Sequence, residues 1–344
     1  MFKDVRNSAR FAALVALTWG AFILNSSAGE TLYARLESLD PRFDALIPSN
    51  TQIEKIADEL MWSEGPLWDA KTQSLLFSDI PRNVVMQWNA QKGVSIFLEK
   101  SGYTGTVPFT GREPGSNGLT FDPKGRLTLC QHGDRRISYR DAKGRMVPVA
   151  VDFNGKKLNS PNDLVYDNKG ALYFTDPPFG LPGTFTDPKK ELAFNAVFRV
   201  ARSGALTAVA TELEAPNGLG FSPDYKTLYV ANATATEPIW KAYAVQPDGS
   251  LDKGRIFAEA SAYVKKGDGV PDGLKVDVHG NVFATGPGGV HVFAPDGTRL
   301  GRIITDVPTA NVAFGEDGAT LFITANHRVL RMRTKTRGVP LPVK

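Results

Sequence analysis

The chain has 344 residues, 42% apolar and 22% charged, with 33 Gly, 23 Pro, four His and one Cys. The lone Cys130 excludes an intrachain disulfide framework and a CxxC zinc site, and four scattered histidines argue against a multi-histidine metal centre. The formal charge of +4 comes from interleaved basic and acidic residues, so it marks no nucleic-acid surface.

In chain order, Met1 to Ala28 reads as a secretory signal. Lys3, Arg6 and Arg10 give a basic start, Phe11 to Leu24 an apolar stretch, and Ser26-Ser27-Ala28 small residues for cleavage. The apolar run is shorter than the roughly twenty residues a membrane span needs. Cleavage would remove those three bases and Asp4, taking the charge from +4 to +2. The expectation is a periplasmic or secreted protein with no stable span once the signal is gone. Residues 29–50, including Tyr33-Ala34-Arg35-Leu36, read as a short helical arm, and residues 51–338 as one domain.

Six segments then repeat one pattern. They are Glu64-Gly65-Pro66-Leu67-Trp68, Asn117-Gly118-Leu119-Thr120-Phe121, Asn162-Asp163-Leu164-Val165-Tyr166, Asn217-Gly218-Leu219-Gly220-Phe221, Asp272-Gly273-Leu274-Lys275-Val276 and Ala310-Asn311-Val312-Ala313-Phe314. Their first residues lie 53, 45, 55, 55 and 38 positions apart. Each is followed by a turn such as Asp122-Pro123-Lys124-Gly125 and a second alternating stretch. Period-two alternation on a repeat of roughly 40–50 residues predicts an all-β, six-bladed propeller of four-stranded antiparallel blades. The sixth repeat is one strand short, and Thr51 to Ala57 is the segment expected to supply it and remove the open sheet edges. Two long insertions, Ser101 to Ser116 and Pro177 to Asn195, are candidate lids over one end of the ring.

Equivalent positions in a closed ring converge on its axis. The first residue of each repeat is Glu64, Asn117, Asn162, Asn217, Asp272 or Ala310. Five of these six carry a carboxylate or carboxamide, a hard oxygen set that needs a cation to offset its charge. Ca²⁺ is the first expectation for that single divalent ion, with Zn²⁺, Mn²⁺ and Mg²⁺ as alternatives. The return strands bring Asp79, His132, Asp176 and Asn232 back to the same end, which makes His132 and Asp176 candidate substrate contacts. Other chemistries find no motif: there is no GxSxG elbow, HExxH, Walker loop or EF-hand loop.

Ser63-Glu64-Gly65-Pro66-Leu67-Trp68, with Phe77-Ser78-Asp79-Ile80 after it, resembles the first blade of the gluconolactonase/regucalcin-like (senescence marker protein) family. Asn159-Ser160-Pro161-Asn162-Asp163 and Tyr173-Phe174-Thr175-Asp176-Pro177-Pro178 are similar to its bacterial gluconolactonase branch. Pro216-Asn217-Gly218-Leu219 and Pro271-Asp272-Gly273-Leu274 match its later motifs. The resemblance spans about residues 40–335. It implies a six-bladed propeller hydrolase with one catalytic divalent cation held by Glu64, Asn162, Asn217 and Asp272, and with Asn117 on the substrate side. The implied reaction is metal-assisted opening of a small-molecule lactone, with Asp272 as general base and Glu64 able to exchange roles with it. Two other readings fit the same constellation: a diisopropyl-fluorophosphatase-like phosphotriesterase, and a non-catalytic binding propeller stabilised by Ca²⁺.

Overall fold

Short alternating strands punctuated by Asp-x-x-Gly turns set the local structure. At Asp122 the side-chain Oδ1 accepts from the amides of Lys124 and Arg126, both at 2.9 Å. Gly125 then takes φ +74°, a left-handed conformation that glycine adopts without steric cost. The same aspartate device recurs at Asp141, Asp167 and Asp277. Each turn reverses the chain and sends the next strand back antiparallel.

The computed structural model describes residues 33–265 and 268–343; the expected secretory signal lies outside them. Among the described residues the strands form the six antiparallel blades of a β-propeller. From the axis, the innermost strands are Ser63–Asp69, Ser116–Phe121, Leu164–Tyr166, Pro216–Phe221, Leu274–Val276 and Asn311–Gly315. Ile53–Ala57 pairs with Arg328–Arg333 as the outer strand of blade 6, so a segment from before blade 1 closes the ring. The preceding arm departs from the expected helix. Arg35–Ser38 is extended and adds a fifth strand to blade 5 beside Arg299–Ile304, and the helix comes later, at Pro41–Leu46, capped by Asp40. Pairing with the free edge of blade 5 outweighs the local helical pattern.

The core lies between blades rather than at the axis. Trp68 of blade 1 stacks on Phe322 of blade 6 with centroids 5.5 Å apart. Tyr173 meets Phe221 edge-on between blades 3 and 4 at 5.1 Å, and Phe283 meets Phe314 between blades 5 and 6 at 5.2 Å. A fully buried ring such as Tyr173, Phe283 or Phe322 contributes about 1.5–3 kcal/mol of burial free energy. Both faces of the middle strands are buried, as in Leu127–Gln131 and Leu172–Asp176. That packing makes the blades a rigid frame for the residues at the axis.

Candidate metal and active site

The innermost strands converge because four of their six second positions are glycine. A Cβ on Gly65 would lie 2.1 Å from the carbonyl oxygen of Asn117, and one on Gly218 would lie 2.4 Å from that of Asp272. Glycine therefore permits neighbouring blades to touch near the axis. Register shifts follow Glu64, Ser116 and Pro216, so the strand bulges where the first side chain turns toward the channel.

Glu64, Asn117, Asn162 and Asn217 are all buried there. The Oδ1 atoms of Asn117, Asn162, Asn217 and Asp272 have no hydrogen-bond partner among the described residues. Buried polar atoms almost always find a partner, so four unpaired oxygens on four successive blades mark a place for a ligand that accepts electron pairs. Glu64 is held differently. One of its oxygens accepts from the amide of Gly65 and, at 3.1 Å, from Nδ2 of Asn311.

The electrostatics are those of crowded, desolvated carboxylates. Burial and then the charge of Asp163 push Glu64 up to about 7, against the opposing hydrogen bonds from Gly65 and Asn311. Burial raises Asp272 well above the usual carboxylate range, followed by the negative charges of Glu64, Asp163 and Glu113. Asp163 is also raised by burial, with Lys275 opposing. A divalent cation among these groups would relieve the repulsion, and the all-oxygen donor set fits a hard ion. Among the described residues no three His, Cys, Asp or Glu side chains form a ready-made metal centre. Here the donors are carboxamides as much as carboxylates.

Blade 6 enters the site through a residue that the first-position rule passes over. Ala310 is apolar, and its neighbour Asn311 supplies the polar group. Asn311 and Asp163 are the two second positions that are not glycine, and they sit on opposite blades. Asn311 Nδ2 reaches Asp163 Oδ2 across the channel at 3.4 Å, and its Oδ1 accepts from Lys275 Nζ at 3.4 Å. The pair forms a floor under the first-position residues. The signal was present in the sequence as the two departures from glycine at that position.

Below that floor, toward the far ends of the same strands, lies a cavity of about 480 Å³. Trp68, Phe121, Tyr166, Phe221 and Phe314 line it, and the C-terminal residues up to Val343 complete its wall. Lys275 lines the cavity while its ammonium reaches up to Asn311. The cavity walls contain none of the first-position carboxylates or carboxamides.

The two return-strand candidates differ in placement. Both oxygens of Asp176 are committed to backbone amides, those of Asn159 and Ser160, each at 2.8 Å. The buried carboxyl, raised to about 7 by desolvation, thus holds the turn that leads into Asn162. Asp79 and Asn232 do the same in their blades, accepting from Trp62 and Ala215. In blade 2 the matching residue is Gln131, which pairs with Ser116 as Asp79 pairs with Ser63. His132 therefore stands one residue beyond the position expected for it. Its amide donates to Gly115 O, as Ile80 donates to Trp62 O and Ala233 to Ala215 O.

In sequence and fold the chain is similar to proteins named as lactonases. The SMP-30/Gluconolactonase/LRE-like region matches residues 62–327. A gluconolactonase of Zymomonas mobilis is 41% identical over 96% of this chain and 94% of its own length. Pentonolactonase XacC of Haloferax volcanii is 30% identical over 76% of this chain and 80% of its own. The structure of a gluconolactonase from Xanthomonas campestris superposes with a TM-score of 0.75 at 32% identity, covering 87% of this chain and 94% of that one.

Proposed function

The chain belongs to the SMP-30/gluconolactonase/LRE-like family, and from that premise we propose that it hydrolyses a sugar lactone, gluconolactone-like, to the open-chain acid with the help of one divalent cation. The observation that carries this reading is the set of four unpaired, buried oxygens at the strand starts of blades 2 to 5, with the buried Glu64 carboxyl at that of blade 1. Glu64, Asn162, Asn217 and Asp272 are the residues that would hold the ion, Ca²⁺ first among the candidates. When bound, the cation supplies a Lewis acid for the lactone carbonyl.

The chain's own groups do the rest. Asn117, unpaired on the neighbouring blade, is positioned to bind the substrate's polar atoms. Asp272 accepts the proton of the attacking water. Its place beside the Glu64 carboxyl, at a strand start on the axis, is the position from which a carboxylate can take that proton. Glu64 is anchored by Gly65 and Asn311 and holds its place while Asp272 changes charge. Asp176 keeps the Asn159–Ser160 turn in register so that Asn162 presents its oxygen. We also propose that Met1–Ala28 is a cleaved export signal and that the protein acts in the periplasm or outside the cell; N-terminal sequencing of the mature chain checks it. Among the described residues no helix is long and apolar enough to cross a membrane.

The test is a substrate panel run on chelator-stripped protein reloaded with Ca²⁺, Mn²⁺, Zn²⁺ or Mg²⁺ in turn. Opening of an aldonolactone, restored by at least one ion, is expected. Failure with every ion overturns the lactonase reading, and turnover confined to a phosphotriester replaces it.

A further inference from the structure

Where His132 stands in blade 2, three other blades carry an apolar residue. These are Ile80, Pro177 and Ala233 in blades 1, 3 and 4, so an imidazole here is not required by the fold. Its side chain is fully buried, and neither ring nitrogen has an aligned hydrogen-bond partner among the described residues. Nδ1 lies 3.0 Å from Oε2 of Glu113, whose side chain is 31% exposed at the end of the Ser101–Ser116 insertion. The second insertion packs against the base of the His132 side chain. A Cβ on Gly180 would sit 2.6 Å from the His132 Cβ and 2.9 Å from that of Ser160. Both insertions thus pack around one histidine, whose amide donates to Gly115, two residues before Asn117. Blade 2 faces blade 5 across the channel, and Glu113 is within electrostatic reach of Asp272.

A buried imidazole with one nitrogen 3.0 Å from a carboxylate oxygen and the other unpartnered is suited to proton transfer, the carboxylate being placed to orient it. We propose that His132 is a further catalytic residue, protonating the departing ring oxygen of the lactone through Nε2, and that Glu113 is its positioning residue. The inference rests on the lactonase reading above. As water adds to the carbonyl carbon, its proton passes to Asp272. The bond between that carbon and the ring oxygen then breaks, and the oxygen takes the Nε2 proton of the doubly protonated ring. His132 is left neutral with its Nδ1 proton toward Glu113. The proton held by Asp272 returns to solvent, and His132 is recharged from solvent, so the sum is lactone plus water to hydroxy acid.

Leaving-group chemistry tests this. An alkoxide leaving group needs a proton at departure, whereas a phenolate does not. His132→Asn is expected to lower kcat on glucono-δ-lactone by about 10²–10³-fold, while kcat on an aromatic lactone such as dihydrocoumarin changes by less than about threefold. Glu113→Gln, a change at a partly exposed side chain, is expected to lower kcat on the sugar lactone alone by about tenfold. It keeps the proposal open to test if His132→Asn does not fold. The rise in Tm that Ca²⁺ produces should be the same in both variants as in the unsubstituted protein. Equal losses on the two lactones, no loss on either, or a vanished Ca²⁺ response would each overturn the proton-donor role. An unsubstituted protein inactive on both lactones would overturn the lactonase reading itself, and the His132 role with it.

Discussion

The two ends of the central channel are built from the same six strands and do opposite things. At the strand starts, Glu64, Asn117, Asn162, Asn217 and Asp272 bring oxygen to the axis with four Oδ1 atoms unpaired. At the strand ends, Trp68, Phe121, Tyr166, Phe221 and Phe314 wall a cavity of about 480 Å³. Between them lies the Asn311–Asp163 bridge with Lys275 beneath. One end retains desolvated, uncompensated polar groups, which cost stability until a ligand arrives. The other is walled by aromatic rings whose inter-blade faces are packed, as Trp68 is on Phe322, which supplies stability. The propeller thus separates function from support along strands of three to seven residues rather than between domains.

Breaking the polar end should cost activity and spare the fold. Asp272→Ala and Asn217→Ala are each expected to reduce lactone turnover by at least about 10³-fold, read from steady-state rates. The metal-free Asp272→Ala protein should melt no lower than its parent, because a buried carboxyl beside Glu64 has been removed. The apolar support should behave in reverse. Phe322→Ala, at the fully buried partner of Trp68, is expected to cost about 3–5 kcal/mol by denaturant titration, with KM unchanged while the protein remains folded.

Much of this division was legible in the sequence, because the ring repeats one strand start. The spacing of the first-position residues gave away the number of blades, and the missing last strand pointed to Thr51–Ala57. The bridge between Asn311 and Asp163 was hidden, since each contact joins residues of opposite blades and exists only once the ring has closed. Ala310 also drew attention from its neighbour, because the sixth repeat places its polar group one residue later. His132 was misplaced by one residue for a related reason. Return strands differ in length, and only the pairing of Gln131 with Ser116 fixes the register. The arm at Arg35–Ser38 reads as helix in the sequence because its partner strand lies more than 260 residues away.

The floor offers an intermediate test. Asn311→Leu removes the donor to Glu64 and Asp163, and it is expected to weaken Ca²⁺ binding by about 10–100-fold in a calorimetric titration. A smaller effect should come from pH. The folded, metal-free protein holds protons on Glu64 and Asp176 up to about 7, whereas the unfolded chain releases them near 4. Stability from these groups is therefore present below pH 4 and is lost as the pH rises from about 4 to about 7. A Tm lower by a few degrees at pH 8 than at pH 5.5 is expected without metal. Saturating Ca²⁺ should shrink that difference, because the ion binds the deprotonated site.

The central claim is that the unpaired oxygens at the strand starts, with Glu64, hold a single cation. Isothermal titration of Ca²⁺ into the chelator-stripped protein near pH 7, repeated in buffers of different ionisation enthalpy, tests it most directly. One ion per chain is predicted, with protons released from the site on binding and with no comparable heat from the Asn217→Ala protein. Absence of binding, or binding that Asn217→Ala leaves unchanged, would contradict it.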